Sequence, residues 1–144
     1  MKYWIYDDGG RAAAGYKGLT GDCGLRAMAI ACGIPYKDAY ALLKTFASLE
    51  RKSKKRTGKS SMWRGIYVST YKKMMNHLGW EWTPLCEIGT KTKTHLRADE
   101  LPEGKIICRV SNHYVAVIDG VIHDIYDCSR SGTRLVYGYW RAKV

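Results

Sequence analysis

Residues 21–33 read Gly-Asp-Cys-Gly-Leu-Arg-Ala-Met-Ala-Ile-Ala-Cys-Gly. From Cys23 to Cys32 the chain is apolar on nearly every helical face, Arg26 excepted, and a helix that is apolar all round belongs in an interior. Gly33 supplies the left-handed residue on which such helices end. The stretch predicts a buried central helix over 23–32, entered through a Gly-Asp turn. Upstream, YWIY at 3–6 suits a short strand, and 7–22 is a turn-rich approach loop. Downstream, Pro35 opens a second helix with Tyr36, Tyr40, Leu43 and Ala47 on one face, running to about Leu49. A third helix carries Ile66, Thr70, Met74 and Leu78 on one face and stops at Gly79. Residues 81–97 read as strand and loop. From Lys105 the pattern changes to strands: KIICRVSN, HYVAVI, VIHDIYD and a closing RLVYGYWR. Helices followed by antiparallel strands predict a single α+β domain over 1–144.

The composition agrees. With 46% hydrophobic and 26% charged residues, the 144-residue chain is globular rather than disordered. No window approaches 18 apolar residues, which excludes a transmembrane helix, and no signal-peptide core is visible at the N-terminus. The five cysteines (Cys23, Cys32, Cys86, Cys108, Cys128) form no CxxC pair, so reduced thiols in a cytoplasm are expected, with no membrane and no cofactor. Twenty-four Lys and Arg against thirteen Asp and Glu give a net charge of +11, which attracts polyanions. Six of the nine residues from Arg51 to Lys59 are basic (Arg51, Lys52, Lys54, Lys55, Arg56, Lys59) and none is apolar. An exposed basic loop is therefore expected at about 50–62, with a non-specific polyanion contact as its candidate role.

Two residues carry candidate chemistry. A thiol at the start of a helix faces backbone N–H groups and the positive end of the helix dipole, both of which favour thiolate. Cys23 holds that position, whereas Cys32 at the far end reads as a small buried hydrophobe. His113 opens a strand after Ser111-Asn112. Asp119-Gly120, flanked by β-branched residues, predicts a two-residue type I′ hairpin turn. Ile118 then faces Val121, Val117 faces Ile122, Val115 faces Asp124 and His113 faces Tyr126. Paired and alternate residues share a face, which places Asp124 diagonally beside His113, where a carboxylate can hold the imidazole tautomer. His123 falls on the opposite face.

GDCGLRAMAIACG, followed late in the chain by NHYVAVIDGVIHD, resembles the papain-like cysteine hydrolase superfamily in its compact bacterial forms. The first motif is similar to the Asp-Cys-Gly helix start of bacteriocin-leader peptidases and the Asp-Cys-Ser-Gly-Leu start of NlpC-type peptidases. The second resembles their His-led strand, turn and return strand. GGRAAAGYKG, HLRADELP and HDIYDCSR also look like segments of small phage and bacterial proteins, so a phage origin and a host cytoplasm are expected. The superfamily resemblance implies the Cys-bearing helix packed on a C-terminal antiparallel sheet, and cleavage of a peptide, amide or isopeptide bond in a protein or peptide substrate. It implies Cys23 as nucleophile, His113 as base and Asp124 as the orienting residue. His123, by analogy with NlpC-type enzymes, and Asp127 are alternatives for the third role. Many relatives carry a glutamine before the cysteine as oxyanion donor, and this chain has no glutamine. The Cys23 N–H, with Tyr16, Lys17 or Thr20, is the candidate replacement.

Two other readings compete. A basic nucleic-acid-binding accessory protein would use the 51–59 cluster with Trp63, Tyr67 and Tyr71. A metal site from His123, Asp124, Asp127 and Cys128 is chemically possible, but strand alternation scatters those side chains over two faces, and none is expected.

Overall fold

The structure, a computed structural model, describes residues 3–16, 21–51, 58–61, 65–85 and 93–143. Helix α1 spans Cys23–Cys32 and buries Gly24 to Ala29 and Ala31, and Gly33 ends it at φ 68°, ψ 33°. Ten residues make a marginal helix in isolation, so packing has to hold this one. Leu25 and Met28 are fully buried, and each such side chain contributes roughly 1.5–3 kcal/mol on leaving water. Helices α2 (Tyr36–Ser48) and α3 (Val68–His77) follow. The strands are β1 (Trp4–Tyr6), β2 (Trp80–Pro84), β3 (Lys105–Val110), β4 (His113–Ile118), β5 (Val121–Asp124) and β6 (Gly138–Ala142).

The strands form one sheet in the order β1-β5-β4-β3-β6-β2. Alternation along the central strands gives it two apolar faces. Ile107, Tyr114, Ala116 and Trp140 join Leu25, Met28 and the other helical residues in one core. Ile106, Cys108, Val110, Val115 and Val117 form a second core with Leu96, Cys128 and Val136. That second face is covered by irregular chain, which is stitched together by Leu96 N–H to Arg134 O (2.8 Å) and Val136 N–H to Thr94 O (2.9 Å).

The α+β expectation holds, with differences in detail. The sheet is mixed rather than antiparallel, because β1 pairs in parallel with β5 (Ile5 beside His123). Pro35 lies outside α2 in an extended conformation (φ −58°, ψ 144°), and α3 begins at Val68 rather than Ile66. β5 ends at Asp124 instead of continuing to Asp127. The closing strand starts at Gly138, since residues 134–136 pair with residues 94–96 instead. The loop expected at 50–62 is anchored at both ends. The Glu50 carboxylate accepts from the Ser60 N–H (2.7 Å), the Ser60 hydroxyl and the Thr70 hydroxyl, and Ser60 is buried.

The β4–β5 hairpin has the expected register: Ala116 pairs with His123, Val117 with Ile122 and Ile118 with Val121. Asp119 and Gly120 both have positive φ (49° and 80°), the signature of a type I′ turn. No helix among the described residues is long and apolar enough to cross a membrane.

Candidate active site

Cys23 is the first residue of α1 and is half-buried. Asp22 before it makes no side-chain cap, which leaves the first-turn N–H groups clear of a capping oxygen. The Asp22 carboxylate turns inward instead. It accepts a hydrogen bond from the Tyr36 hydroxyl (2.7 Å) and pairs with Arg11 Nε (3.0 Å) and Arg26 Nε (3.4 Å). Burial and this hydrogen bond to a carboxylate push the Tyr36 hydroxyl pKa up.

His113 opens β4 directly after a tight β3–β4 turn, in which Asn112 takes a left-handed φ of 55°. Its Nε2 lies 2.6 Å from Asp124 Oδ2, and both residues are buried. Asp124 ends β5. Its Oδ1 accepts the Ile125 N–H (2.7 Å) and lies 3.7 Å from Arg26 Nη1. Arg26 therefore bridges the carboxylate behind the cysteine and the carboxylate behind the histidine. Two buried carboxylates face two guanidiniums, the compensation that buried charge requires.

The electrostatics of Cys23 and His113 are coupled. Burial works against the Cys23 thiolate. The His113 hydrogen bond and charge, the Tyr114 backbone N–H and the Arg26 guanidinium outweigh it, and the thiol titrates below its ordinary value. At His113 burial disfavours the cation, but hydrogen bonds with Asp124, Cys128 and Cys23 push its pKa up to about 12. Each partner favours the other's charged form, so the two titrate as a pair. The other thiols move the opposite way. Burial raises Cys32 to about 12 and pushes Cys108 up. Burial and the Asp124 charge raise Cys128 against the opposing effect of His113.

The remaining sequence candidates lie elsewhere. His123 Nδ1 is 3.2 Å from Asp7 Oδ2, on the side of β1. Asp127 accepts from the Ser129 N–H (3.1 Å) and hydroxyl (2.7 Å), beyond the end of β5. The Tyr16 ring packs on Tyr36 and Tyr40 (5.2 and 5.3 Å between centroids) and does not line the cleft at Cys23. Lys17, Thr20, Lys52, Lys54, Lys55, Arg56, Trp63 and Cys86 are outside the described residues. Arg51 and Lys59 are exposed, with Lys59 Nζ donating to Ser48 O (3.3 Å). Tyr71 is fully buried, stacked on Tyr114 at 4.1 Å, which closes its ring to a nucleobase.

His113, Asp124 and Cys128 have ligand atoms within 4.8 Å of one another, the grouping among the described residues that suits a metal ion. It differs from the set the sequence suggested: Asp124 and Cys128 are joined by His113, not by His123 and Asp127. A metal there would have to displace the 2.6 Å His113–Asp124 hydrogen bond, and all three residues are buried.

Three residues around the pair were not assigned to the Cys23–His113–Asp124 site from the sequence. Arg26 is legible in hindsight, as the single charge in an otherwise apolar helix. Cys128 sits beside His113 through the loop after β5, which no periodicity locates. Arg134 is buried and donates to Ser111 O and to Cys128 O (3.3 Å), tying the turn before His113 to that loop.

The chain matches no family model, no curated protein and no solved structure.

A cleft of about 400 Å³ opens at the pair, bounded by Gly21, Cys23, Gly65, Ile66, Asn112 and His113 among others.

Proposed function

We propose that the protein is a papain-like thiol hydrolase that cleaves a peptide, amide or isopeptide bond. The observation that carries this reading is the buried His113–Asp124 hydrogen bond of 2.6 Å, in a cleft it shares with a helix-start thiol whose pKa the same histidine lowers. In this scheme Asp124 occupies Nε2, which leaves Nδ1 of the imidazolium to serve Cys23. The thiolate attacks the carbonyl carbon and forms the C–S bond, and the oxyanion is met by N–H groups at the start of α1. Collapse breaks the C–N bond, His113 gives its proton to the departing amine, and a thioester remains. His113 then takes a proton from water as its oxygen attacks the thioester. Loss of the carboxylic acid restores thiolate and imidazolium. Asp124 holds the ring, and Arg26 and the Ile125 N–H hold Asp124.

The test is acyl-enzyme formation with a thioester or activated-amide probe across single variants. Cys23→Ala and His113→Ala should abolish it. Asp124→Ala should lower turnover by roughly 10²–10⁴, with His123→Ala nearly silent and Asp127→Ala intermediate at most. A crippling His123→Ala beside a mild Asp124→Ala transfers the third role to His123. Full activity in Cys23→Ala removes the hydrolase reading and leaves the basic accessory protein in its place.

A further inference from the structure

The cleft at Cys23 does not end there. It shares Val68, Arg109 and Tyr114 with a second cavity of about 520 Å³. The two make one groove running from the start of α1 across β3 and β4 toward β2 and β6. Its two ends differ in chemistry. The far end is aromatic, with Trp82 and Trp140 tilted at 52° and 5.3 Å apart. The rim is cationic: Lys59 in the cleft that holds the cysteine, Arg109 at the junction, and Lys72 and Lys143 at the far end. Among the described residues, Glu81 is the one carboxylate lining either cavity. Among the described residues none of the four cations pairs with a carboxylate. Lys59 donates to a carbonyl and Arg109 lies over the Tyr137 ring at 5.5 Å.

Resting on the thiol-hydrolase reading, we infer that the groove selects acidic peptides, seating a carboxylate side chain at Arg109 next to the scissile bond and a bulky apolar residue against the outer side of the packed Trp82–Trp140 pair. A cleft with four cations against one carboxylate in its lining concentrates positive potential along its floor. A guanidinium matches a carboxylate with two parallel hydrogen bonds, a geometry that an amide cannot reproduce with the same energy. The net charge of +11 draws an anionic chain to the same surface. Nucleic acid would meet the same cations, but a groove ending in a tilted indole pair is shaped for a side chain rather than for a run of stacked bases, and the fully buried Tyr71 offers no platform.

The experiment uses the full chain and two peptidyl acyloxymethyl ketones. They differ only in Glu against Gln at the residue nearest the warhead, with Leu beyond it, and the rate of mass gain on Cys23 is followed by intact mass and peptide mapping. The Glu probe should react about 10-fold faster or more. The ratio should fall toward one in Arg109→Gln and in 0.5 M salt, as screening predicts. Should Arg109→Gln not fold, Lys72→Gln/Lys143→Gln, which alters two exposed side chains, should lower the ratio in the same direction. Equal rates for both probes, each far above a peptide-free chloroacetamide, would overturn the substrate class and leave the hydrolase reading intact. Labelling of Cys32 as fast as Cys23 would remove the hydrolase reading itself. A single-stranded oligonucleotide that protects Cys23 while the Glu/Gln ratio stays at one would assign the groove to nucleic acid and overturn the inference.

Discussion

Four described cysteines are free thiols, yet their surroundings drive them apart. Cys23 has the start of α1, the Tyr114 N–H and the His113 cation around it, and titrates low. Cys32 caps the other end of the same helix without a charged neighbour, and burial raises it to about 12. Below the ordinary thiol value the thiolate fraction is therefore larger at Cys23 than at Cys32, Cys108 or Cys128, whose pKa values move up. Brief treatment with limiting iodoacetamide at pH 6 should modify Cys23 first. The rate should rise with pH through the lowered thiol pKa and then level off early, not climb toward pH 9 as a free thiol does. Mapping that found Cys128 modified first would sink the assignment of the nucleophile. His113→Ala should push the Cys23 pKa up and slow its alkylation, because the largest favourable influence on the thiolate is then gone while burial still opposes it.

At the scale of the element, the bounds of α1 and the turn and register of the β4–β5 hairpin were legible in the sequence for identifiable reasons, although β5 ends at Asp124 and the ladder stops at the Ala116–His123 pair. All-round apolarity and a terminal glycine define α1. An Asp-Gly pair between β-branched runs defines the turn and, with it, the His113–Asp124 register. What could not be read is pairing between distant segments. Nothing local in Trp4–Tyr6 says that it pairs in parallel with β5, nor that residues 134–136 pair with 94–96 in place of extending β6. Gly24 shows a further constraint that lies in the contact between elements. A Cβ built there would lie 2.7 Å from Tyr71 Cε1 and 3.3 Å from Ile66 Cδ1. The Tyr71 ring cannot yield easily, since its hydroxyl donates to Gly24 O (2.9 Å) and its face stacks on Tyr114. Gly24→Ala gains at most about 1 kcal/mol of helix propensity against an overpacking cost of roughly 1–3 kcal/mol. The overpacking wins, so the variant should unfold at a Tm lower by roughly 2–8 °C, with slowed alkylation of Cys23 as the start of α1 shifts. A Tm equal to or above that of the parent chain would mean that the α1–α3 contact is looser than its geometry.

Across the whole molecule, the candidate site joins segments far apart in the chain. Cys23, Arg26 and Asp22 come from α1 and its approach, while His113, Asp124 and Cys128 come from strands and loops some ninety residues later. The parts meet because α1 packs on β3, β4 and β5, with Leu25 and Met28 in the same core as Ile107, Tyr114 and Ala116. The thiolate is thus a property of the assembled core and not of the local Gly-Asp-Cys-Gly sequence. In an unfolded chain Cys23 loses His113, the Tyr114 N–H and the helix start together and returns to an ordinary thiol. A domain of this size usually unfolds in one cooperative step. The loss of fast Cys23 alkylation at pH 6 should then share its urea midpoint with the loss of far-UV circular dichroism. Arg26→Met tests the same dependence from within. It leaves Asp22 and Asp124 buried without their bridging cation, a defect that costs about 3–5 kcal/mol when a buried pair is broken. Both midpoints should therefore fall together and by the same amount. A variant that kept the parent unfolding midpoint while Cys23 became an ordinary thiol would show that Arg26 acts on the site alone, and that the core and the site are separable.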